Sequence, residues 1–134
     1  MVTDMSYMFY EQGWYSDNEL DLSNFNTANV EDMSEMFNNM NNLETLDISN
    51  FNTSKVSNFN AMFAAGSTDK LEHIYVKHDF DTSSGTDFTS IFNGRTTLRG
   101  GNGSFLSDPS TADKTWLRID DPANGHPGYF TRKV

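Results

Sequence analysis

The sequence offers few groups that could carry out catalysis or bind a transition metal. It contains no cysteine, which excludes thiolate metal sites, and no Gly-x-Ser-x-Gly segment of the kind that presents a nucleophilic serine. Ser23 and Ser49 occupy the same place in a repeated stretch, whereas a catalytic nucleophile occurs once. We therefore predict that the protein is not an enzyme. The histidines form no pair at zinc-binding spacing and are predicted to be solvated or hydrogen-bonded: His73, His78 and His126.

One acidic stretch resembles the start of a calcium loop. Residues 79–85 read Asp-Phe-Asp-Thr-Ser-Ser-Gly, but an EF-hand needs glycine at loop position six and glutamate at position twelve, where this chain has Ser84 and Ser90. The two aspartates also stand where the preceding repeat has asparagines. We predict that this stretch is structural, and that the chain has no metal site and no cofactor.

Three large aromatic side chains lie outside the repeated stretches, where they could stack on sugar rings: Trp14, Tyr15 and Trp116. The other interpretation is that they are buried as a lid over an end of the molecule. Glycan binding is therefore one alternative function that the sequence leaves open.

The charge balance excludes two classes of partner. The 134 residues include 9 basic and 19 acidic side chains, for a formal charge of -10. Such a surface repels nucleic-acid phosphates and anionic lipid, so we predict no nucleic-acid partner. No apolar run reaches the roughly 20 residues that span a bilayer, so we predict no membrane insertion by this chain.

A repeat organises the chain. Residues 20–45 read LDLSNFNTANVEDMSEMFNNMNNLET, and the stretch that starts at Leu46 reads LDISNFNTSKVSNFNAMF. The apolar residues recur 26 positions on, as Leu20 and Leu46 do. A fixed period of this size is typical of a solenoid, in which each unit buries its apolar face only by stacking on its neighbours.

Each unit is predicted to contain one strand and one helix. Leu20 and Leu22 alternate with Asp21 and Ser23, which is the period-two pattern of a strand with one buried face. An Asn-Phe-Asn-Thr turn follows. The next apolar residues are spaced by three and four, which predicts one face of a helix: Val30, Met33, Met36, Phe37 and Met40.

The repeats divide the chain into a solenoid over 1–104 and a C-terminal cap over 105–134. The solenoid comprises a partial first unit, 1–19, and three further units, 20–45, 46–73 and 74–100. The first unit lacks its strand, since the match to the second unit begins at Val2, so we expect upstream sequence that is not in this chain. The cap segment no longer fits the repeat, and the ends of solenoids are atypical because they shield the last core face.

The repeat LDLSNFNTANVEDMSEMF resembles the BspA-like bacterial leucine-rich repeats, whose units follow L-D-[LI]-S-x-[FW]-[DN]-T-S-x-V-x-[DN]-M-x-x-M-F. The resemblance implies a short right-handed leucine-rich-repeat solenoid of the α/β class, built of strand–helix units with a non-repeat C-terminal cap. It also implies a bacterial cell-surface or secreted protein, with its export signal and anchor outside this chain. This family is associated with adhesion and protein recognition rather than catalysis.

The candidate binding surface is the solvent-facing side of the stacked strands. Because the leucines of each strand point inward, the residues between them point outward, and successive strands lie about 4.8 Å apart. A plain solvated sheet face is the competing interpretation. The residues predicted to form this row are Asp21, Ser23, Asp47, Ser49, Tyr75 and Lys77.

These observations favour a non-catalytic binding or adhesion module that recognises an extracellular or host protein. A structural spacer within a larger surface protein is an alternative of another class, beside the glycan-binding module. Two structural expectations go with this hypothesis. Phe37 and Phe63 should stack in the core, and the strand at 20–22 should be a sheet edge that favours self-association.

Overall fold

A parallel four-stranded sheet joins the repeats, as seen in a computed structural model that describes residues 2–10, 19–40, 42–66 and 69–134. The strands run in sequence order across the sheet. The first three come from successive repeats, and the fourth comes from the C-terminal segment. They are β1 (Glu19–Asp21), β2 (Thr45–Asp47), β3 (His73–Val76) and β4 (Phe130–Arg132).

The repeat spacing sets the register of the sheet. Leu20 pairs with Leu46, Leu46 with Ile74, and Ile74 with Phe130. The last three of these side chains are fully buried, and Leu20 is partly buried against the same core. The predicted strands and their inward residues are therefore confirmed for these units.

A second row of parallel bridges runs along the opposite part of each unit. Asp4 pairs with Asp32, Asp32 with Asn58, and Asn58 with Asp87. Asp32 lies within the stretch from Val30 to Met40 that the apolar spacing assigned to a helix, and the other three residues hold the equivalent position in their units. The units are thus joined by main-chain hydrogen bonds at two places around each turn of the stack.

The predicted α/β solenoid of strand–helix units is wrong, because the described residues contain no α-helix. In a helix the amide of Phe37 would donate to the carbonyl of Met33. Here it donates to the carbonyl of Met62 in the next unit, at 2.9 Å. The amides of Met33 and Glu35 likewise donate to the next unit, so alternate amides hold neighbouring units together.

Left-handed residues interrupt any helix at the same place in every unit. Glu35 has a φ of 53°, and the equivalent Tyr7, Ala61 and Ser90 have φ values of 59°, 51° and 59°. Such a conformation costs a non-glycine residue about 1–2 kcal/mol and cannot continue a right-handed helix. The amides between the inter-unit donors close tight turns instead, as Met36 does on the carbonyl of Met33.

The side chains of this stretch are buried as the spacing predicted, although their backbone is not helical. Met33, Met36 and Phe37 are fully buried, and Met40 is nearly so. Successive turns that close every three residues return side chains to the core at intervals that a helix also produces. Apolar spacing alone therefore cannot distinguish the two backbones.

Aromatic rings stack through the core of all four units. Phe37 lies 5.7 Å from Phe9 and 5.6 Å from Phe63, measured between ring centroids, and Phe63 lies 5.3 Å from Phe92. The planes of each pair are within 10° of parallel. The predicted stacking of Phe37 on Phe63 is confirmed.

The Asn-Phe-Asn-Thr turns hold the units together through buried threonines. The hydroxyl of Thr27 donates to the carbonyl of Asn52 and accepts from the amide of Asn52, at 3.0 and 2.7 Å. Thr53 makes the same two bonds to Asp81 in the fourth unit. These reciprocal bonds explain why threonine ends the turn in each of these units.

The C-terminal segment supplies the last strand of the sheet, at the position where a further repeat would otherwise pair with β3. The amide of Arg99 still donates to the carbonyl of Glu72, as a repeat strand would begin. The chain then turns away, and β4 pairs with β3 instead. Gly100 permits this crossing, because a Cβ at that position would lie 2.1 Å from the carbonyl oxygen of Gly128.

The rest of the segment from residue 105 packs over the last unit. Tyr129 is fully buried between Phe92 and Trp116, with ring centroids 4.7 Å from each. The chain around it forms three short 3₁₀ helices, namely Pro109–Thr111, Lys114–Trp116 and Pro122–Asn124. The exact boundary between repeats and cap stays a prediction.

A buried arginine crosses three units. Arg95 is 1% exposed, and its guanidinium donates to the carbonyls of Phe37, Phe63 and Ala64. It also forms an ion pair with Asp69 at 2.8 Å. Burial lowers the pKa of Arg95, while the Asp69 carboxylate opposes this shift. We call these residues the Arg95 cluster.

Within the part of the chain that the structure describes, β1 lies at the edge of the sheet and pairs only with β2. Self-association through this edge stays a prediction. No helix among these residues has the length and apolar character needed to cross a membrane.

Candidate binding face

The side of the sheet turned away from the core carries a row of polar and aromatic side chains, which we call the outer face. Asp21 is exposed in this row, whereas Asp47 is only 9% exposed. Its central row follows the register directly: Asp21 pairs with Asp47, Asp47 with Tyr75, and Tyr75 with Thr131. A second row places Glu19 beside Thr45 and His73. The sheet therefore brings together three of the predicted site residues, Asp21, Asp47 and Tyr75.

An open depression of about 430 Å³ lies over this face. Its walls carry both signs of charge, with three carboxylates from β1 and β2 and two cations from the end of β4 and the residue after it. The charged and aromatic residues that line it are Glu19, Asp21, Asp47, Tyr75, Arg132 and Lys133.

The carboxylates of the outer face are held by the turns that end their strands. The Asp21 carboxylate accepts from the amide of Ser23 at 2.9 Å, and Asp47 accepts from Ser49 at the same distance. Hydrogen bonds from the Ser23 hydroxyl and amide lower the pKa of Asp21. Each carboxylate is thereby fixed in direction and kept ionised.

Asp47 carries the only ion pair that the described residues make on this face. Its second carboxylate oxygen lies 2.9 Å from Nζ of Lys133, which follows β4. Burial raises the pKa of Asp47, but the bonds from Lys133 and Ser49 outweigh it and the net pKa is lowered. The Lys133 ammonium also lies 5.6 Å from the ring centroid of Tyr75.

The remaining predicted site residues lie away from the row. Ser23 and Ser49 form the turns after β1 and β2, and Ser49 is buried. Lys77 lies beyond β3, where Nζ donates to the side chain of Asn50 at 3.2 Å. It lines a separate depression of about 340 Å³ together with Ser49. These three residues support the turns rather than the outer face.

Reasoning from the sequence missed Glu19, Arg132 and Lys133. Glu19 precedes the repeat pattern by one residue, and strand alternation extended backwards from Asp21 could have found it. Arg132 ends β4 and Lys133 follows it. This strand has no counterpart in the repeats, so its register could not be read from their spacing.

The acidic stretch at residues 79–85 does not form a joint site, because its two aspartates make separate local contacts. Asp79 accepts from the amide of Ile119 at 2.8 Å, while Asp81 accepts from the amide and hydroxyl of Ser83. Among the described residues no group of three or more His, Asp or Glu side chains is placed to hold a metal ion. His73 departs from expectation, because its Nδ1 is buried without a hydrogen-bond partner.

The aromatic residues considered for sugar binding have mixed outcomes. Trp116 is half-buried against Tyr129 at a ring-centroid distance of 4.7 Å, as the lid interpretation predicts. Trp14 and Tyr15 lie outside the described residues.

The fold should lose stability in acid because hydrogen bonds from nearby serines lower the pKa of exposed aspartates, such as Asp81. A carboxyl with a lowered folded pKa stabilises the fold above its ordinary value of 3.8, and this contribution is lost as the pH falls through the folded pKa. Asp81→Asn should therefore show a smaller loss on acidification, since Asn52 accepts the same bond in its own turn. Urea unfolding at neutral pH and below pH 3.8 measures this difference. Equal losses in both proteins would contradict it.

The stacked units and their polar outer face define a repeat protein. A family model matches residues 1–105, and its description is "Mycoplasma protein of unknown function, DUF285". The chain belongs to this family. Comparisons with curated proteins and with solved structures gave no match. The family description names no activity, so the resemblance to BspA-like repeats stays a prediction.

Proposed function

We propose that the chain is a non-catalytic binding module of a bacterial cell-surface or secreted protein, and that its outer face recognises a basic region of a protein partner. The observation that carries this proposal is the register of Asp21 and Asp47, whose carboxylates lie on neighbouring strands over an open depression. The resemblance of the repeats to adhesion proteins supports the same function.

The physical support is electrostatic. The turns hold these carboxylates in place, so little side-chain entropy is lost when a cation binds. The formal charge of -10 adds a long-range attraction for a basic partner, which increases the rate of association at low salt. Tyr75 adds an aromatic surface beside the carboxylates, as recognition sites for cationic side chains often do.

Changing Asp21 and Asp47 together to asparagine should weaken binding of a basic partner roughly tenfold, because two positioned charges are removed. The melting temperature should fall only slightly, since an asparagine such as Asn58 accepts the same turn bond and the lost Asp47–Lys133 ion pair is partly exposed. Partners would first be found with a panel of host extracellular proteins, set beside a glycan array. Their affinities would then be measured at low and high salt.

The matched control is Asp81→Asn with Asp108→Asn. Both aspartates are exposed and accept from a serine amide, but neither lies on the outer face. This variant loses the same charge and should bind nearly as the unchanged protein does. If the partner's affinity depended neither on salt nor on the Asp21 and Asp47 changes, the binding site would lie elsewhere on the protein. Binding only on the glycan array would favour the sugar-binding alternative.

A further inference from the structure

The backbone of Lys133 is fixed beside β3, and its side chain extends across the outer face. Its amide donates to the carbonyl of Val76 at 2.7 Å, which continues the pairing of β4 with β3. Its ammonium reaches the carboxylate of Asp47 on β2 and lies over the ring of Tyr75 on β3. The chain therefore supplies a lysine ammonium to its own acidic face.

The surroundings of this ammonium are those that favour alkylammonium binding. A carboxylate gives a charge-assisted hydrogen bond, and an aromatic face adds a cation–π attraction within about 6 Å of the ring centroid. Asp21 lies one strand further along the same row and contributes further negative charge. Because the Lys133 ammonium already occupies this site, the molecule itself shows that a lysine ammonium fits there.

We propose that Lys133 is an intramolecular competitor, and that the site on Asp47 and Tyr75 binds a lysine side chain of the partner once the Lys133 side chain moves away. This inference rests on the proposed function and adds the class of group recognised and its regulation. The Lys133 side chain is 42% exposed, so it can leave the site without opening the core. Its contact with Asp47 is a partly exposed ion pair, which limits the competition to a modest factor.

The test uses a trilysine peptide blocked at both ends, titrated into the whole chain while the amide signals of Asp47 and Tyr75 are followed by NMR. Lys133→Met should increase the affinity about two- to fivefold, the range that a partly exposed ion pair supports. The backbone bond to Val76 does not depend on the side chain, so the variant should fold normally, and a thermal melt checks this.

Lys55→Met is the matched control. Lys55 is exposed, and its Nζ donates to Asn29 at 3.1 Å, away from the outer face. Both variants remove one positive charge and therefore raise the long-range attraction for the peptide equally. Only Lys133→Met also vacates the site. Adding Asp47→Asn to Lys133→Met should abolish the extra gain.

The outcomes separate the two proposals. A larger gain for Lys133→Met than for Lys55→Met, removed by Asp47→Asn, supports the competitor. Equal gains overturn the competitor but leave recognition of a basic partner standing, since the peptide still binds. If no variant binds trilysine, the competitor is also overturned, and the proposed function is then decided by the Asp21 and Asp47 changes with a protein partner.

Discussion

Replacing Phe63 with alanine should lower the free energy of unfolding by about 3–5 kcal/mol. Phe63 is fully buried and stacks between Phe37 and Phe92, with further ring contacts to Phe80 and Phe130. Removing its ring leaves a cavity at the place where the repeats pack against the C-terminal segment. Since domains of this size are stable by about 5–15 kcal/mol, this loss would unfold a substantial fraction of the molecules at moderate temperature.

The control for this change is Phe105→Ala. Phe105 is 52% exposed, with the guanidinium of Arg99 lying 3.9 Å from its ring centroid, so the same truncation should have little effect there. Urea unfolding of both variants measures the difference. A Phe63→Ala protein that unfolded at nearly the concentration required for Phe105→Ala would contradict the stacked core.

Breaking the Arg95 cluster should have a similar cost. Arg95→Met removes the donors from three buried carbonyls and leaves the Asp69 carboxylate without its ionic partner. The carbonyls of Phe37 and Ala64 still accept from backbone amides, but the carbonyl of Phe63 loses its donor. Together with the unpaired buried charge of Asp69, this should destabilise the fold by about 3–5 kcal/mol. Chemical denaturation should show this loss directly.

Two further variants identify the cause. Arg99→Met changes an arginine whose bonds are to the nearby carbonyls of Thr96 and Leu98, so it should cost far less. Asp69→Asn added to Arg95→Met should restore part of the stability, because it removes the unpaired charge while an amide oxygen can still accept from Leu71. If Arg95→Met and Arg99→Met were equally stable, the buried position of Arg95 would be wrong.

The sheet could be predicted from the sequence because the residue pattern that specifies each strand is local and recurs in every unit. The spacing of Leu20, Leu46 and Ile74 determines both the strand positions and their register, and the structure has both. The outward row of Asp21 and Asp47 followed from strand alternation alone. For these elements, one unit's pattern is sufficient to place the next.

The backbone between Val30 and Met40 could not be predicted in the same way. Its apolar spacing fits a helix, but its polar residues favour turns, since Asp32 accepts from the amide and hydroxyl of Ser34. Alternate amides of this stretch donate to carbonyls of the neighbouring unit. That source of hydrogen bonds is not visible within a single unit, and a helix this short is only marginally stable by itself.

The candidate site was therefore predicted only in part. Its carboxylates belong to the repeats, whereas Lys133 directly follows β4, whose pairing with β3 depends on where the chain after Gly100 returns. Arg95 was missed for a related reason, because its partners lie in units 26 to 58 residues away in sequence. Long-range contacts made once leave no periodic signal.

Hydrogen bonds between units, and not helices, join the repeats and so align the outer face. Scalar couplings transmitted across hydrogen bonds test this at a single amide. In isotope-labelled protein, the nitrogen of Phe37 should couple to the carbonyl carbon of Met62, its hydrogen-bond partner at 2.9 Å. A coupling from Phe37 to the carbonyl of Met33 instead would show an α-helix there and would contradict the account.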